Sequence, residues 1–230
     1  MARERPRLTV VIPTLNAAEG LAATVAALDP SDAIVVVDGG SRDGTPGLAG
    51  GLGARVIETT PGRGGQLAAG AAVATEGWLL FLHADTVLEP GWREAVERHL
   101  SRPDAEGRAA CFRFALDDDS AQARRLERWV AWRVAVLALP YGDQGLLIHR
   151  SLYDRVGGYR PLPLMEDVDL VRRLGRWRLT VMDASAITSA RRWRQDGWLR
   201  LSVRKARNLL CLALFYAGVP AERIARLYGR

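Results

Sequence analysis

The sequence predicts an α/β fold with a mostly parallel central sheet flanked by helices. Short apolar runs that suit buried strands alternate along most of the chain with alanine-rich or amphipathic runs that suit helices. Consecutive parallel strands need a long crossover between them, usually a helix, so this alternation favours parallel pairing. The 230 residues, 48% of them hydrophobic, are enough for one domain with a sizeable core and at most a small appendage.

The first hundred residues contain four predicted strands separated by helices. Each strand is a short apolar run bounded by turn residues, and the four lie at Leu8–Ile12, Ala33–Asp38, Arg55–Glu58 and Trp78–His83. The helices between them carry small and apolar residues at helical spacing, and they lie at Asn16–Leu28, Thr45–Leu52 and Gln66–Thr75. Glycine weakens the second of these helices. This half of the chain therefore consists of successive strand–helix units.

The alternation continues in the second half and then changes character. Beyond Pro90 we predict a helix to Leu100, a strand at Ala109–Leu116, a helix that ends near Leu139 and a strand at Gly145–His149. Gly157–Leu164 is loop-like and leads into an acidic cluster at a helix start. No repeat and no low-complexity linker is visible in the sequence.

The segment after Trp198 reads as a basic amphipathic helix. Apolar positions there are Trp198, Leu201, Leu209, Leu212 and Phe215, and basic positions are Arg200, Arg204, Lys205 and Arg207. Its longest apolar run, from Leu209 to Val219, is too short to span a bilayer. A similar segment lies at Trp129–Leu139, where Arg133 interrupts the apolar face. For both segments two interpretations remain open, namely helices packed on the sheet or contact with a membrane surface.

Charge and cysteine content limit the setting and the partners. The formal net charge is +6, and from Arg172 onward 14 Arg and Lys residues face three Asp and Glu residues, so this end should attract anions. Phosphates of a small ligand, anionic lipids and nucleic acid all fit that charge.

Cys111 and Cys211 lack metal-ligand spacing and are interpreted as buried thiols in a reducing, cytoplasmic setting. No signal-peptide pattern precedes the first strand, so we do not expect secretion.

Three polar motifs follow predicted strands directly. Pro13-Thr14-Leu15-Asn16 follows the first strand, Asp38 opens the DGGSRDGT turn after the second, and His83-Ala84-Asp85-Thr86 follows the strand that begins at Trp78. In open α/β sheets, ligands bind in the crevice at the carboxyl ends of the strands. These motifs therefore predict a site for a polar or charged ligand.

The order of the motifs resembles the family-2 glycosyltransferases of the Rossmann-like GT-A fold. Their opening PTLN, their D-G-S-x-D-G-T turn, an Asp-containing metal motif and a later acidic pair all have counterparts here. The chain looks closest to a small bacterial subgroup that carries LHADT, LPYGDQG, LPLMEDV and SARRW, found here at Leu82–Thr86, Leu139–Gly145, Leu162–Val168 and Ser189–Trp193. Members of that subgroup have been linked to arsenosugar biosynthesis and, by looser resemblance, to carotenoid-acid glycosylation.

The resemblance implies a division of the chain. Residues 1–195 would form the GT-A domain, with a nucleotide-binding half at 1–100 and an acceptor-binding half at 101–195, and residues 196–230 would form a helical extension. The nucleotide-binding candidates are Pro13, Thr14, Asn16, Asp38, Gly39, Arg63, Gln66, His83 and Asp85. Asp38 can accept hydrogen bonds from a base imide or a ribose hydroxyl, and Gly39 lets the backbone approach the ligand. A plain helix-entry turn would explain Ser41, Asp43 and Thr45 equally well.

Asp85 is the candidate metal ligand. A carboxylate there can hold Mg²⁺ or Mn²⁺ against the diphosphate of a nucleotide sugar. The family usually offers Asp-x-Asp, and His83 stands here where the first acid would be. The role of His83 in ribose contact is therefore in doubt, and the metal site should be loose and completed by phosphate oxygens.

The acidic pair Glu166-Asp167 is the candidate catalytic centre. A hydroxyl is a poor nucleophile until a carboxylate takes its proton, and the resemblance gives that role to Asp167, with Glu166 orienting nearby groups or the acceptor. Acids at a helix N-terminus are also favoured by the helix dipole alone. Asp169 is interpreted as a solvated or structural acid.

Two further motifs are assigned to the acceptor or the diphosphate. Asp143 and Gln144 can hydrogen-bond sugar hydroxyls, or they form only a turn before a strand. Arg191 and Arg192 can clamp phosphate oxygens while Trp193 offers a stacking face, although an RRW sequence also suits a membrane-facing surface.

Together these features predict an inverting glycosyltransferase that moves a sugar from a nucleoside diphosphate donor, UDP-linked by preference, to a hydroxyl or carboxylate acceptor. The expected partners are the donor and a small-molecule or lipid-like acceptor. Contact with the inner face of the membrane and oligomerisation are left open, and no nucleic acid is expected. The alternatives are a nucleotidyltransferase, whose glycine-rich, Arg-containing signature PTLN lacks, and a non-catalytic module that binds a membrane surface or nucleic acid.

Overall fold

The computed structural model describes residues 6–74, 77–190 and 207–228. Eight strands form one sheet in the order β3-β2-β1-β4-β7-β6-β8-β5. In chain order they are β1 (Leu8–Thr14), β2 (Ala33–Asp38), β3 (Arg55–Glu58), β4 (Trp78–Phe81), β5 (Thr86–Leu88), β6 (Ala109–Leu116), β7 (Leu146–His149) and β8 (Leu179–Thr188).

The helices cover both faces of this sheet. They are α1 (Ala18–Ala26), α2 (Thr45–Gly51), α3 (Arg63–Val73), α4 (Trp92–Leu100), α5 (Ala121–Leu137), α6 (Arg150–Arg155), α7 (Glu166–Leu174), α8, whose described part is residues 207–216, and α9 (Ala221–Tyr228). Three 3₁₀ turns lie at Ala105–Gly107, Gly142–Gln144 and Arg176–Arg178.

Half of the sheet is parallel and half is mixed. β3, β2, β1 and β4 run parallel, with Thr14 paired to Asp38 at the ends of β1 and β2. β7 runs antiparallel to both β4 and β6, β8 is parallel to β6, and β5 is antiparallel to β8. The carboxyl ends of β1, β2 and β4 therefore meet at one edge, where ligands bind in such sheets.

Successive residues of the buried strands pack alternately into two core layers, one on each face of the sheet. Val10 and Ile12 of β1 pack with Leu21 of α1 and Val96 of α4 on one face. Val11 faces the other side, with residues of α3, α6 and α7. This period of two on a strand buried on both faces explains the continuous apolar runs in the sequence.

The structure confirms the predicted α/β class and a mostly parallel sheet. The predicted strands at Ala33–Asp38, Arg55–Glu58 and Ala109–Leu116 have the observed bounds. Neither β5 nor β8 was predicted. β5 has only three residues, and Asp183, Ala184 and Ala186 give the middle of β8 a low strand propensity, although buried and more exposed residues alternate there as in a half-buried strand. The first helix begins at Ala18 rather than Asn16, because the preceding backbone amides bond to the neighbouring loop.

The described part of α8 packs on α7 and on the segment after α5. Leu212 of α8 joins Leu139, Val168 and Val171 in a small apolar cluster. The guanidinium of Arg172 lies 4.3 Å from the ring centroid of Tyr216. Among the described residues, no helix is long and apolar enough to cross a membrane. Trp198, Leu201, Arg200, Arg204 and Lys205, on which much of the amphipathic pattern depends, lie outside the described residues.

Gly70 permits a close approach of α3 to β1 and β2. A Cβ added at Gly70 would lie 2.3 Å from Val11 Cγ1, so Gly70→Ala should destabilise the protein by about 1–3 kcal/mol through overpacking. Gly65, in the same helix, has no atom within 4 Å of an added Cβ, and Gly65→Ala should stabilise by about 0.5–1 kcal/mol through helix propensity. Urea denaturation of both variants checks this difference, and equal effects of the two substitutions would contradict it.

Candidate functional site

The loops after β1 and β2 are joined by side chain to backbone hydrogen bonds. Asn16 N donates to Ser41 Oγ at 2.7 Å, and Arg42 N donates to Asn16 Oδ1 at 2.8 Å. Ala18 N donates to Asp43 Oδ2 at 3.0 Å, which gives Asp43 a structural role in this joint. Asn16 adopts φ = +51°, a conformation that asparagine tolerates better than most residues. The PTLN and DGGSRDGT motifs therefore form one rigid loop pair at the sheet edge.

Asp38 is at the centre of this loop pair and is only 1% exposed. Its Oδ2 accepts from Gly40 N at 2.9 Å and Ser41 N at 2.7 Å, and its Oδ1 accepts from Thr14 Oγ1 at 2.8 Å and from the Ser41 hydroxyl. Burial raises the pKa of Asp38, but these hydrogen bonds, the Ser41 hydroxyl first, outweigh burial and lower the pKa overall. Asp38 thus orders the turn in this structure, and its contact with a nucleotide stays a prediction.

The lowered pKa of Asp38 predicts a pH-dependent contribution to stability. A carboxylate whose folded pKa lies below its ordinary value of 3.8 stabilises the fold above about pH 4, and this contribution is lost as the pH falls further. In Asp38→Asn the amide cannot accept all four hydrogen bonds, so this variant should be less stable at pH 7, with a smaller loss between pH 7 and pH 3. Urea denaturation at both pH values measures the difference. Asp183→Asn, an exposed control, should keep the wild-type profile, and the same profile in Asp38→Asn would refute the assignment.

Gln66 ties the ends of β1 and β2 together. Its Nε2 donates to the carbonyls of Thr14 and Val37, each at 2.8 Å. A Cβ added at Gly39 would lie 3.2 Å from this nitrogen, so Gly39 leaves room for the Gln66 amide. Pro13 is half-buried beside these groups. The predicted nucleotide contacts of Pro13, Thr14, Gly39 and Gln66 stay predictions, and a contact through the Gln66 nitrogen would require exchanging these bonds.

A pocket opens at the end of β4 and brings together four predicted site residues. Arg63 comes from the start of α3, His83 from the loop after β4, and Glu166 and Asp167 from the start of α7. Its lining residues are Arg63, Leu67, Phe81, Leu82, His83, Gly142, Leu146, Tyr159, Glu166 and Asp167. The pocket therefore has an apolar floor and a rim that carries both acids and a cation.

The acidic pair is held at this rim by defined contacts. Asp167 Oδ2 accepts from Gly142 N at 3.0 Å, and Asp167 Oδ1 accepts from Val168 N at 2.7 Å. Glu166 is buried, and its Oε1 lies 3.4 Å from Arg63 Nη1. Met165, just before the pair, adopts φ = +66°, a costly conformation that is found most often at functional sites. Each Asp167 oxygen keeps a second lone pair that can accept a proton.

Asp143 adds a third carboxylate near the pocket. Its Oδ1 is buried without a hydrogen-bond partner in the described part of the chain. Burial, followed by Asp167 and then Asp85, raises its pKa to about 6 against the opposing effects of Arg133 and Arg63. Asp143, Asp167 and Asp85 thus interact electrostatically at one end of the sheet, and the predicted contact of Asp143 with an acceptor stays a prediction.

The donor set at this end fits a hard divalent cation that is shared with a ligand. Asp85 is half-buried after β4 and offers carboxylate oxygens. The described residues contain no cluster of three or more His, Cys, Asp or Glu side chains able to enclose a metal. Mg²⁺ is typically held by one or two carboxylates together with substrate phosphates and water, so a single Asp85 carboxylate is compatible with such a site.

Gln144 lies beneath the pocket with both ends of its amide bonded to protein. Its Nε2 donates to Phe112 O at 3.0 Å, and its Oε1 accepts from Arg133 Nη2 at 3.2 Å. Its predicted acceptor contact stays a prediction and would require breaking one of these bonds. Arg191, Arg192 and Trp193 lie outside the described residues.

Sequence reasoning missed three residues at this site. Gly142 supplies the amide that bonds Asp167, Tyr159 lines the pocket, and Arg133 holds Gln144. An arginine within an otherwise apolar helical face was the available signal for Arg133. Asp169, interpreted as solvated or structural, is structural, because its Oδ2 lies 2.6 Å from Arg173 Nη2.

The chain is similar in sequence to known proteins. The family model described as Glycosyl transferase family 2 matches residues 9–162. A protein named as an uncharacterized glycosyltransferase of Mycobacterium bovis is 38% identical over 85 residues, and so is one of Mycobacterium tuberculosis. The match covers 36% of this chain and 39% of each relative, so the chain matches about two fifths of the length of these relatives.

Solved structures share the fold at low sequence identity. Glucosyl-3-phosphoglycerate synthase from Mycobacterium tuberculosis, in complex with Mn²⁺, UDP and glucosyl-3-phosphoglycerate, has a TM-score of 0.55 and 21% identity, covering 80% of this chain and 70% of that chain. The same enzyme with Mn²⁺ and UDP-glucose gives a TM-score of 0.56 at 20% identity, with the same coverage. TarS of S. aureus gives 0.58 at 14% identity, covering 79% and 57%. These matches establish a GT-A arrangement of the chain.

Proposed function

The chain belongs to glycosyl transferase family 2, and on this premise we propose that it transfers a sugar from a nucleoside diphosphate sugar to a small acceptor with inversion at the anomeric carbon. One observation carries the proposal. Asp167 lies at the rim of a pocket that also contains Arg63, His83 and Glu166, next to the edge where the carboxyl ends of β1, β2 and β4 meet.

Asp167 would act as the general base. Its carboxylate takes the proton of the acceptor hydroxyl while the acceptor oxygen forms a bond to the anomeric carbon. The bond from that carbon to the diphosphate breaks, and the diphosphate leaves with the electron pair. Gly142 N and Val168 N hold both carboxylate oxygens, so the base needs little reorganisation. A carboxylate acceptor would already be ionised and would need Asp167 less.

The cationic groups would serve the donor. Arg63, at the N-terminus of α3, is half-exposed and can reach a phosphate oxygen if its 3.4 Å contact with Glu166 lengthens. Asp85 would hold Mn²⁺ or Mg²⁺, which when bound neutralises charge on the departing diphosphate. The loops that contain Asp38 and Asn16 would receive the nucleoside.

We favour a UDP-linked donor. Glucosyl-3-phosphoglycerate synthase, whose fold this chain shares, is crystallised with UDP-glucose and with Mn²⁺ or Mg²⁺. We also propose that the chain belongs to the subgroup linked to arsenosugar biosynthesis, because it carries the LHADT, LPYGDQG and LPLMEDV motifs of that subgroup. A thermal-shift screen of UDP-, GDP- and dTDP-sugars with Mn²⁺ tests the donor, since a ligand that binds only the folded state raises the melting temperature. A shift with UDP-sugars is expected; no shift with any sugar nucleotide would count against the proposal.

The division at residue 195 and a cytoplasmic location beside the membrane also remain proposals. Exposed apolar residues support surface contact. Trp177 is 85% exposed, and Trp132, Leu209 and Leu210 are exposed as well. Sedimentation with anionic and neutral vesicles distinguishes such contact from a protein that stays free of membranes.

A further inference from the structure

The 3₁₀ turn at Gly142–Gln144 connects a buried arginine to the catalytic carboxylate. Arg133 is only 3% exposed, although it is charged and lies in the middle of α5. Burying a guanidinium is costly unless its donors and its charge are compensated. The contacts that compensate it all belong to the segment from Trp129 to Gln144.

The arginine has a closely defined set of contacts. Its Nε donates to Leu139 O at 2.9 Å and its Nη2 donates to Gln144 Oε1 at 3.2 Å. The guanidinium carbon lies 3.6 Å from the centroid of the Tyr141 ring and 5.4 Å from that of Trp129. Stacking and hydrogen bonding together fix the plane of the guanidinium, and a lysine cannot reproduce both.

Gln144 links the fixed guanidinium of Arg133 to the 3₁₀ turn. Its other amide end donates to Phe112 O of β6 at 3.0 Å, so the turn is fixed between α5 and the sheet. Gln144 N donates to Tyr141 O at 3.0 Å, which closes the turn. Gly142 begins the turn, and a Cβ added there would lie 2.5 Å from His83 Nε2. The turn therefore has little space in which to move.

The 3₁₀ turn is hydrogen-bonded to Asp167, the proposed base. Gly142 N donates to Asp167 Oδ2 at 3.0 Å, so the position of the turn determines the direction of that oxygen. We infer that Arg133 and Gln144 are positioning residues that aim Asp167 at the acceptor through the Gly142 amide. This inference rests on the proposed function, because it takes Asp167 to be the base.

The test compares Arg133→Lys and Gln144→Met with the wild type. Both should lower kcat about ten- to hundredfold, since small misplacements of a reacting group have costs of this size. The KM for donor and the Kd for UDP should stay within about twofold of wild type, because neither residue lies in the loops that would bind the nucleotide. The double variant should lose little more than either single variant, since both act through one turn.

Arg93→Lys is the matched control. Arg93 is also buried, pairs with Asp32 at 2.9 Å and has an aromatic neighbour in Trp92, but it does not contact the turn. Its replacement should lower stability and leave kcat within about twofold. Gln144→Met keeps the inference testable if Arg133→Lys does not fold, because it removes the same link without replacing a buried charge.

Three results would overturn the inference: wild-type kcat in both folded variants, additive losses in the double variant, or an equal loss of kcat in Arg93→Lys. Asp167→Asn is measured in parallel. If it loses transfer while Arg133→Lys and Gln144→Met keep it, only the positioning role is wrong. If Asp167→Asn keeps transfer, Asp167 is not the base and the positioning role fails with that assignment. If the wild type transfers no sugar, the proposed function itself fails.

Discussion

Asp167→Asn is expected to lower the rate of sugar transfer by about 10²–10⁴-fold, the usual contribution of a general base. The amide keeps the shape of the side chain and its place beside Gly142 N, but it cannot take a proton from the acceptor. Binding of UDP should be nearly unchanged, because the proposed nucleotide loops lie at the ends of β1 and β2. Transfer is followed as UDP release in the presence of the acceptor, and UDP affinity by calorimetry.

Asp169→Asn is the control for this substitution. Asp169 lies two residues further along α7, and its carboxylate pairs with Arg173, which also donates to Gly158 O. This variant should lose stability because the pair anchors a loop, yet a folded sample should keep kcat. Wild-type turnover by Asp167→Asn, or an equal loss of kcat in both variants, would remove Asp167 from the role of base.

Asp85→Ala is expected to abolish the effect of Mn²⁺ on UDP binding. In the wild type, Mn²⁺ should tighten UDP at least roughly tenfold, or about 1.4 kcal/mol, because Asp85 would hold the ion where its charge would offset that of the diphosphate. Without metal, the variant and the wild type should bind UDP with similar affinity. Calorimetric titration of UDP into both proteins, with Mn²⁺ and with a chelator, gives the four affinities.

Asp183→Ala controls for the general loss of a carboxylate. Asp183 is exposed on β8 and pairs with Arg113 at 2.7 Å, outside the proposed donor site. It should show the wild-type dependence on Mn²⁺. If Mn²⁺ has the same effect on UDP affinity in wild type and Asp85→Ala, Asp85 does not hold the metal.

The parallel half of the fold was predictable from local sequence. Continuous apolar runs such as Ala33–Asp38 report burial on both faces, and the turn residues that follow mark the ends of the strands. β5 and β8 were not predictable in the same way. Three residues are too few to show a period, and Asp183, Ala184 and Ala186 give the middle of β8 a low strand propensity, so both strands depend on pairing with partners that are distant in sequence.

The candidate site, like the fold, was only partly predictable from the sequence. The motif after β4 identified His83, whereas Arg63, Glu166 and Asp167, at the starts of α3 and α7, were identified with the help of the family resemblance. The long-range hydrogen bonds that hold these side chains could not be predicted from the sequence. The bond from Thr14 to Asp38, the Gln66 amide between two carbonyls and the bond from Gly142 to Asp167 join elements that are far apart in sequence. No local pattern encodes a contact of that kind.

The most direct test of the central claim uses product formation. Wild-type protein and Asp167→Asn are incubated with a UDP-sugar, Mn²⁺ and a pool of hydroxyl acceptors, and UDP and glycosylated products are quantified by mass spectrometry. We predict that the wild type forms UDP and one glycosylated product in equal amounts, and that the variant forms neither above background. Absence of product with every sugar nucleotide, or equal product from both proteins, would contradict the assignment.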